Sequence, residues 1–161
     1  METMMFRSPS KGELSFNEVF EDLISYTNKY PEEKYKLIIG TDSHAFAKEY
    51  IVFVTAIIAH RIGKGGRFYF QKQKTRYMES LRQRIYYETF LSLEVATRLT
   101  EKLAENGQCE LNVEIHLDVG ERGETREIIK EVVGMVIGSG YDARIKPDSY
   151  GATTVADRFT R

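Results

Sequence analysis

The stretch Lys36-Leu-Ile-Ile-Gly-Thr-Asp42 decides how the chain is read: a short apolar run, a glycine, then an aspartate. Such a run predicts a buried strand over 36–40 that delivers a carboxylate at its C-terminal end, where open α/β sheets place their chemistry. Val113-Glu-Ile-His-Leu-Asp118 repeats the arrangement, its aspartate 76 residues after the first, and Gly151-Ala-Thr-Thr-Val-Ala-Asp157 brings a third near the end of the chain. A carboxylate at the end of an apolar strand loses hydration and is costly unless a cation compensates it. The pattern therefore points to one shared divalent-metal site.

Working outward, residues 1–14 read as a loose arm. Ser15-Phe-Asn-Glu18 is a capping box, and Phe16, Val19, Phe20, Leu23 and Ile24 then recur at helical spacing, which predicts an extra N-terminal helix over 15–30. A second strand is predicted over 49–61 and an alternating third over 67–74, joined by Gly63-Lys-Gly-Gly66. That turn is no P-loop, because neither Gly-Lys-Ser/Thr nor a helix start follows. A long helix over 78–106, a fourth strand over 110–117, a helix over 125–137, a short strand over 141–146 and a final helical turn or two over 152–159 complete the pass. Three consecutive strands followed by alternation with helices predict an α/β fold. Its mixed five-stranded sheet would be an antiparallel meander followed by parallel strands, flanked by helices and read as one domain over 1–161.

The long helix carries interior acids at Glu88, Glu94 and Glu101. On a helical wheel Glu88 falls inside the apolar stripe of Leu81, Ile85, Val95, Ala96, Leu99 and Leu103, beside Ser92, whereas Glu94 and Glu101 fall on the opposite face. A core-facing glutamate requires a partner for its charge. Either it is salt-bridged at the stripe's edge, or it is a further acid aimed at the strand ends. His116 lies two residues before Asp118 and shares its strand face, so it can orient a carboxylate or pack as a hydrogen-bonded core histidine. His44 stands in the same relation to Asp42. Ser43 has no His/Asp relay in sequence order, and serine hydrolase chemistry fits poorly.

Composition narrows the class. The chain has 161 residues, 42% apolar and 12% aromatic, and a single cysteine, Cys109, which excludes an internal disulfide framework and fits a reducing cytosol. The N-terminal residues show no apolar leader and no run reaches membrane-spanning length, so a cytoplasmic protein is expected, without membrane partners. Net charge is −1, yet residues 61–84 hold eight Lys/Arg against one acid, interleaved with Phe68, Tyr69, Phe70 and Tyr77. Lys72, Lys74 and Arg76 can follow a phosphate backbone while aromatics stack on bases. The alternative is the solvated face of a hairpin whose aromatics fill the core.

Ile39-Gly-Thr-Asp-Ser43, Tyr87-Glu-Thr89, His116-Leu-Asp-Val-Gly120, Lys146-Pro147 and Ala156-Asp-Arg-Phe-Thr160 resemble the small bacterial YkuK-type proteins, a family classed as ribonuclease H-like; the resemblance runs from Ser15 to Arg161. It implies a ribonuclease H-like fold and a catalytic, metal-ligating set of Asp42, Glu88, Asp118 and Asp157. Asp148, nine residues upstream of Asp157, joins His44 and His116 as a supporting candidate. It further implies Mg²⁺ or Mn²⁺, two ions, and a nuclease acting on RNA, DNA or a hybrid. Two other classes stay open: a non-catalytic ribonuclease H-like module that binds nucleic acid or protein, and an actin- or sugar-kinase-like phosphotransferase. The latter rests on Asp118-Val-Gly-Glu-Arg-Gly-Glu-Thr125 as a phosphate loop, unless its glycines simply turn the chain into the next helix.

Overall fold

The computed structural model describes residues 4–108, 111–120 and 125–149. Their seven strands are β1 (Met5–Ser8), β2 (Gly12–Ser15), β3 (Tyr35–Phe46), β4 (Tyr50–Arg61), β5 (Gly66–Arg76), β6 (Val113–His116) and β7 (Asp142–Arg144). Three α-helices accompany them: α1 (Phe16–Lys29), α2 (Leu81–Glu105) and α3 (Ile129–Gly138), the last entered through a 3₁₀ turn, Arg126–Ile128. The sheet order is β2-β1-β5-β4-β3-β6-β7. β3, β4 and β5 form an antiparallel meander, whereas β6 pairs with β3, and β7 with β6, in parallel.

Local chemistry sets the starts of the helices. Ser15 Oγ accepts from the Glu18 amide at 3.2 Å while the Ser15 amide donates to Glu18 Oε1 at 2.9 Å, the reciprocal box predicted for α1. Ser80 Oγ caps α2 through the Gln83 amide at 3.2 Å, so that helix begins later than the 78 expected. Gly66, opposite His60, is required by backbone packing: a Cβ there would stand 2.7 Å from the Ala59 carbonyl oxygen.

Pleat alternation sorts the sheet into two faces. Leu37 and Ile39 of β3, Ile57 and Ala59 of β4, Tyr69 of β5 and Val113 and Ile115 of β6 share one buried cluster with Val19 and Leu23 of α1, with Val95, Ala96 and Leu99 of α2, and with Val132 and Val136 of α3. All three helices therefore lie on that face. The other face carries Ile38, Asp42 and His44 on β3, Val52 and Val54 on β4, and Phe70, Lys72 and Lys74 on β5.

Three expectations change. Within the segment expected as a loose arm over 1–14, residues 4–14 are ordered, because β1 and β2 form a hairpin whose Arg7 pairs with Phe70 of β5 and whose Phe6 is buried in the core. The sheet consequently has seven strands, not five. β3 also runs to Phe46, so Asp42 sits within a strand, not at its end. The expected final helical turn at 152–159 and Asp157 lie outside the described residues.

The buried Phe6 makes the hairpin testable. Phe6→Ala should lower the urea-derived unfolding free energy by about 3–5 kcal/mol, the range for a core aromatic. A change below about 0.5 kcal/mol would mean that the hairpin does not contribute to the core.

Candidate functional site

The parallel ladder between β3 and β6 runs from Leu37 opposite Val113 to Gly40 opposite His116 and ends there. β3 continues alongside β4, while the chain after β6 bends toward β7, the Leu117 amide donating to the Arg144 carbonyl at 2.8 Å. Asp42 and Asp118 each stand two residues beyond the last ladder pair, where the strands part. In a sheet with parallel strands this is the position at which a crevice opens.

Glu88 reaches the same region from α2. It is 6% exposed, and the wheel's placement of its side chain toward the sheet holds. Ser43 Oγ donates to Glu88 Oε2 at 2.5 Å, and Arg84, one turn earlier on α2, donates to Ser43 Oγ at 2.9 Å and to the Ser43 carbonyl at 3.3 Å. Deeper in the interface, Thr41 Oγ1 lies 2.8 Å from Ser92 Oγ and 3.0 Å from Thr55 Oγ1, all three buried. These hydroxyls lock α2 to β3 and β4 one turn beyond Glu88.

Burial pushes the Glu88 carboxyl well above its ordinary 4.5. The charges of Asp42 and Asp118 add to the rise, while the Ser43 hydrogen bond and the Arg84 guanidinium oppose it. The three acids expected from the sequence thus share one electrostatic field. Asp42 Oδ1 accepts from the Ser43 amide at 2.9 Å. Asp118 Oδ1 accepts from Lys146 Nζ at 2.8 Å. That hydrogen bond, together with the charges of Asp118, Asp42 and Glu88, holds the Lys146 ammonium above its ordinary 10.5. Among the described residues, no three His, Cys, Asp or Glu side chains are spaced as a metal-ligating group.

The other expected residues spread over neighbouring ground. His116 is buried and its Nε2 pairs with Glu114 Oε1 at 2.9 Å, in a cluster with Lys36 and Arg144. His44 stacks edge-on against Phe46, ring centroids 4.8 Å apart. Asp148 is exposed and lines a cavity of about 300 Å³ with Lys36, His60, Glu114, His116 and Arg144. In the stretch considered as a phosphate loop, the Gly120 amide donates to Thr125 Oγ1 at 3.1 Å, and residues 121–124 lie outside the described set.

Register places the basic strand relative to the acids. Asp42 pairs with Val54 and Val54 with Lys72; the next row is His44, Val52 and Lys74, and the third is Phe46, Tyr50 and Arg76. Lys72, Lys74 and Arg76 are exposed on the face that carries Asp42. Lys74 Nζ sits 4.2 Å from the Tyr50 ring centroid, and Tyr50 stacks on Phe46 at 5.0 Å. The other half of the basic stretch behaves as a hairpin core: Tyr69 is fully buried and donates to Asp22 Oδ2 at 2.5 Å, and Arg67 pairs with the same carboxylate.

Sequence reasoning missed Ser43, Arg84 and Lys146 as partners of the acids. A signal existed for Arg84, which is four residues before Glu88 and so falls on its side of the helix. Lys146 stood in the quoted Lys146-Pro147 pair, but nothing local tied it to the acids.

The Glu88 proton has a thermodynamic consequence. Above 4.5 the unfolded chain has released it while the folded chain still holds it, so folding takes up a proton and stability falls as pH rises through that window. Glu88→Gln, which keeps the shape without the charge, should flatten this trend. The variant should gain on the wild type in urea melts from pH 5 toward pH 8 and converge with it near pH 4.5. Parallel curves would contradict the raised carboxyl.

Comparison with known proteins agrees with this architecture. Residues 18–161 match the family described as Ribonuclease H-like. The chain is 35% identical to "Uncharacterized protein YkuK" of Bacillus subtilis (strain 168), with 99% of each chain covered. With a mixed sheet whose parallel strands part beside Asp42, Glu88 and Asp118, the chain belongs to the ribonuclease H-like family.

Proposed function

We propose that this protein is a divalent-metal-dependent nuclease that hydrolyses phosphodiester bonds, with Asp42, Glu88 and Asp118 as its catalytic acids. Asp157, outside the described residues, is assigned as the fourth. The observation that carries the reading is the approach of the three acids from β3, α2 and the end of β6, close enough that the charges of Asp42 and Asp118 add to the rise that burial imposes on Glu88. An all-oxygen, carboxylate-rich donor set suits Mg²⁺ or Mn²⁺, and a divalent charge would offset the burial and the added repulsion that raise Glu88. Two such ions, when bound, activate a water and stabilise the charge that builds on the attacking and leaving oxygens.

The chain's own residues supply the rest. Ser43 and Arg84 fix the direction of the Glu88 carboxyl. The Thr41–Thr55–Ser92 hydroxyls hold the helix that carries it. Lys72, Lys74 and Arg76 bind backbone phosphates on the face that presents Asp42, about 10 Å away across two strand spacings. RNA, DNA and hybrid are all substrates this chemistry accommodates.

A second reading has its own support. The Lys146–Asp118 ion pair and the Ser43 and Arg84 partners of Glu88 give the acids compensation without an ion, as a nucleic-acid-binding module of the same fold would require.

Cleavage of labelled single- and double-stranded RNA and DNA and of a hybrid, in Mg²⁺ or Mn²⁺, separates the two. Asp42→Asn should abolish turnover by more than about a hundredfold, exceeding what loss of an outer-sphere partner costs, with its circular dichroism unchanged. Retained cleavage in the variant would overturn the assignment, and binding without cleavage in both proteins would favour the module. Joint replacement of Lys72, Lys74 and Arg76 by Glu should weaken nucleic-acid binding. It should also flatten the log–log salt dependence by about 2, at 0.7–0.9 per phosphate contact. An unchanged slope would return these side chains to the role of a solvated face.

A further inference from the structure

Lys146 is delivered to the acids by more than a flexible reach. Its backbone amide donates to the Val119 carbonyl at 2.9 Å, which pins its Cα beside the residue following Asp118. Gly120 leaves the room its stem occupies: a Cβ on Gly120 would stand 3.2 Å from Lys146 Cβ and 3.5 Å from its Cδ. The ammonium then meets Asp118 Oδ1 at 2.8 Å. A backbone bond, a glycine and an ion pair on two segments distant in sequence thus converge on one charge.

We propose that Lys146 is the built-in counter-cation of the carboxylate site, its ammonium competing with a divalent cation for Asp118 and thereby setting how tightly the site takes the metal. The inference rests on the metal-dependent reading above. A carboxylate oxygen in hydrogen-bond contact with an ammonium cannot also meet a divalent ion without bringing two cations together, so one must withdraw. The lysine can do so, because its side chain is 58% exposed and its stem is flexible.

The test is Mn²⁺ binding to the full chain, followed by the electron paramagnetic resonance signal of free Mn²⁺, with no nucleic acid present. Lys146→Met should bind Mn²⁺ roughly three- to fivefold more tightly than the wild type, the upper scale of a half-exposed ion pair. Lys146→Arg, which keeps the charge, should stay within about twofold. A merely structural lysine would give the opposite sign, since disturbing the site loosens the metal. Equal or weaker binding by Lys146→Met overturns the inference. Asp42→Asn, run alongside, reports on the underlying reading. Loss of Mn²⁺ affinity in Asp42→Asn with no gain in Lys146→Met rejects the competition alone. Mn²⁺ binding absent from every protein, or indifferent to Asp42→Asn, rejects the metal site and the competition together.

Discussion

A carboxyl placed in a helix–sheet interface is the constraint from which the rest of the site follows. Glu88 sits where α2 would otherwise present an apolar side chain, and an unpartnered charge there would be strongly destabilising. Burial raises the carboxyl well above its ordinary value, which disfavours the charged form, and Ser43, whose hydroxyl and carbonyl are in turn held by Arg84, donates a hydrogen bond to it. Ser43 is available only because β3 does not stop at Gly40. The strand's extension to Phe46, paired throughout with β4, carries Ser43 toward the helix and Asp42 toward the opposite face. One buried acid therefore demands a long strand, a fixed helix and an arginine one turn away. The Thr41–Thr55–Ser92 cluster adds a penalty for sliding α2, since any shift would leave buried hydroxyls without partners.

The second organising feature is the end of the parallel ladder. Had β6 paired with β3 beyond His116, Asp118 would be fixed in the sheet and the Lys146 stem would have nowhere to pass. Ending the ladder at Gly40 and His116 lets the chain bend toward β7, and Gly120 admits Lys146 where the bend is tightest. The acids thereby meet two cations from distant segments: Arg84 from the helix and Lys146 from the chain after β7.

Much of this was legible in the sequence, for reasons that particular residues show. Glu88 was placed by periodicity alone, because a 25-residue amphipathic helix gives many apolar positions from which to fix its buried stripe. Asp42 and Asp118 were marked by the apolar runs before them. The extension of β3 was hidden because Thr41-Asp-Ser-His44 is polar, and its strand state is dictated by cross-strand pairing with β4, not by propensity. The β1–β2 hairpin escaped for a similar reason: it is short and polar at its turn, and it is held by Phe6 packing into a core built from distant segments. Lys146 and Ser43 became partners of the acids only through contacts that span the fold, which no local pattern encodes.

The placement of charge on the sheet resolves an apparent conflict in how such a protein could approach a polyanion. Three acids at a crevice repel phosphate, and the overall charge of −1 offers no general attraction. What matters at the surface is the field within a Debye length, about 8–10 Å at ordinary ionic strength. Lys72, on the face and in the cross-strand row of Asp42, stands at about that distance, and Lys74 and Arg76 extend the same line past Tyr50. In the proposed reading, a phosphate chain drawn to this column would be held beside the acids without lying on them. Attraction in that reading arises on β5 and Asp42 stands two strands away on β3, so the two do not compete for one spot. Both charges thus sit on a single sheet, and the pairing register of β3, β4 and β5 sets the distance between them.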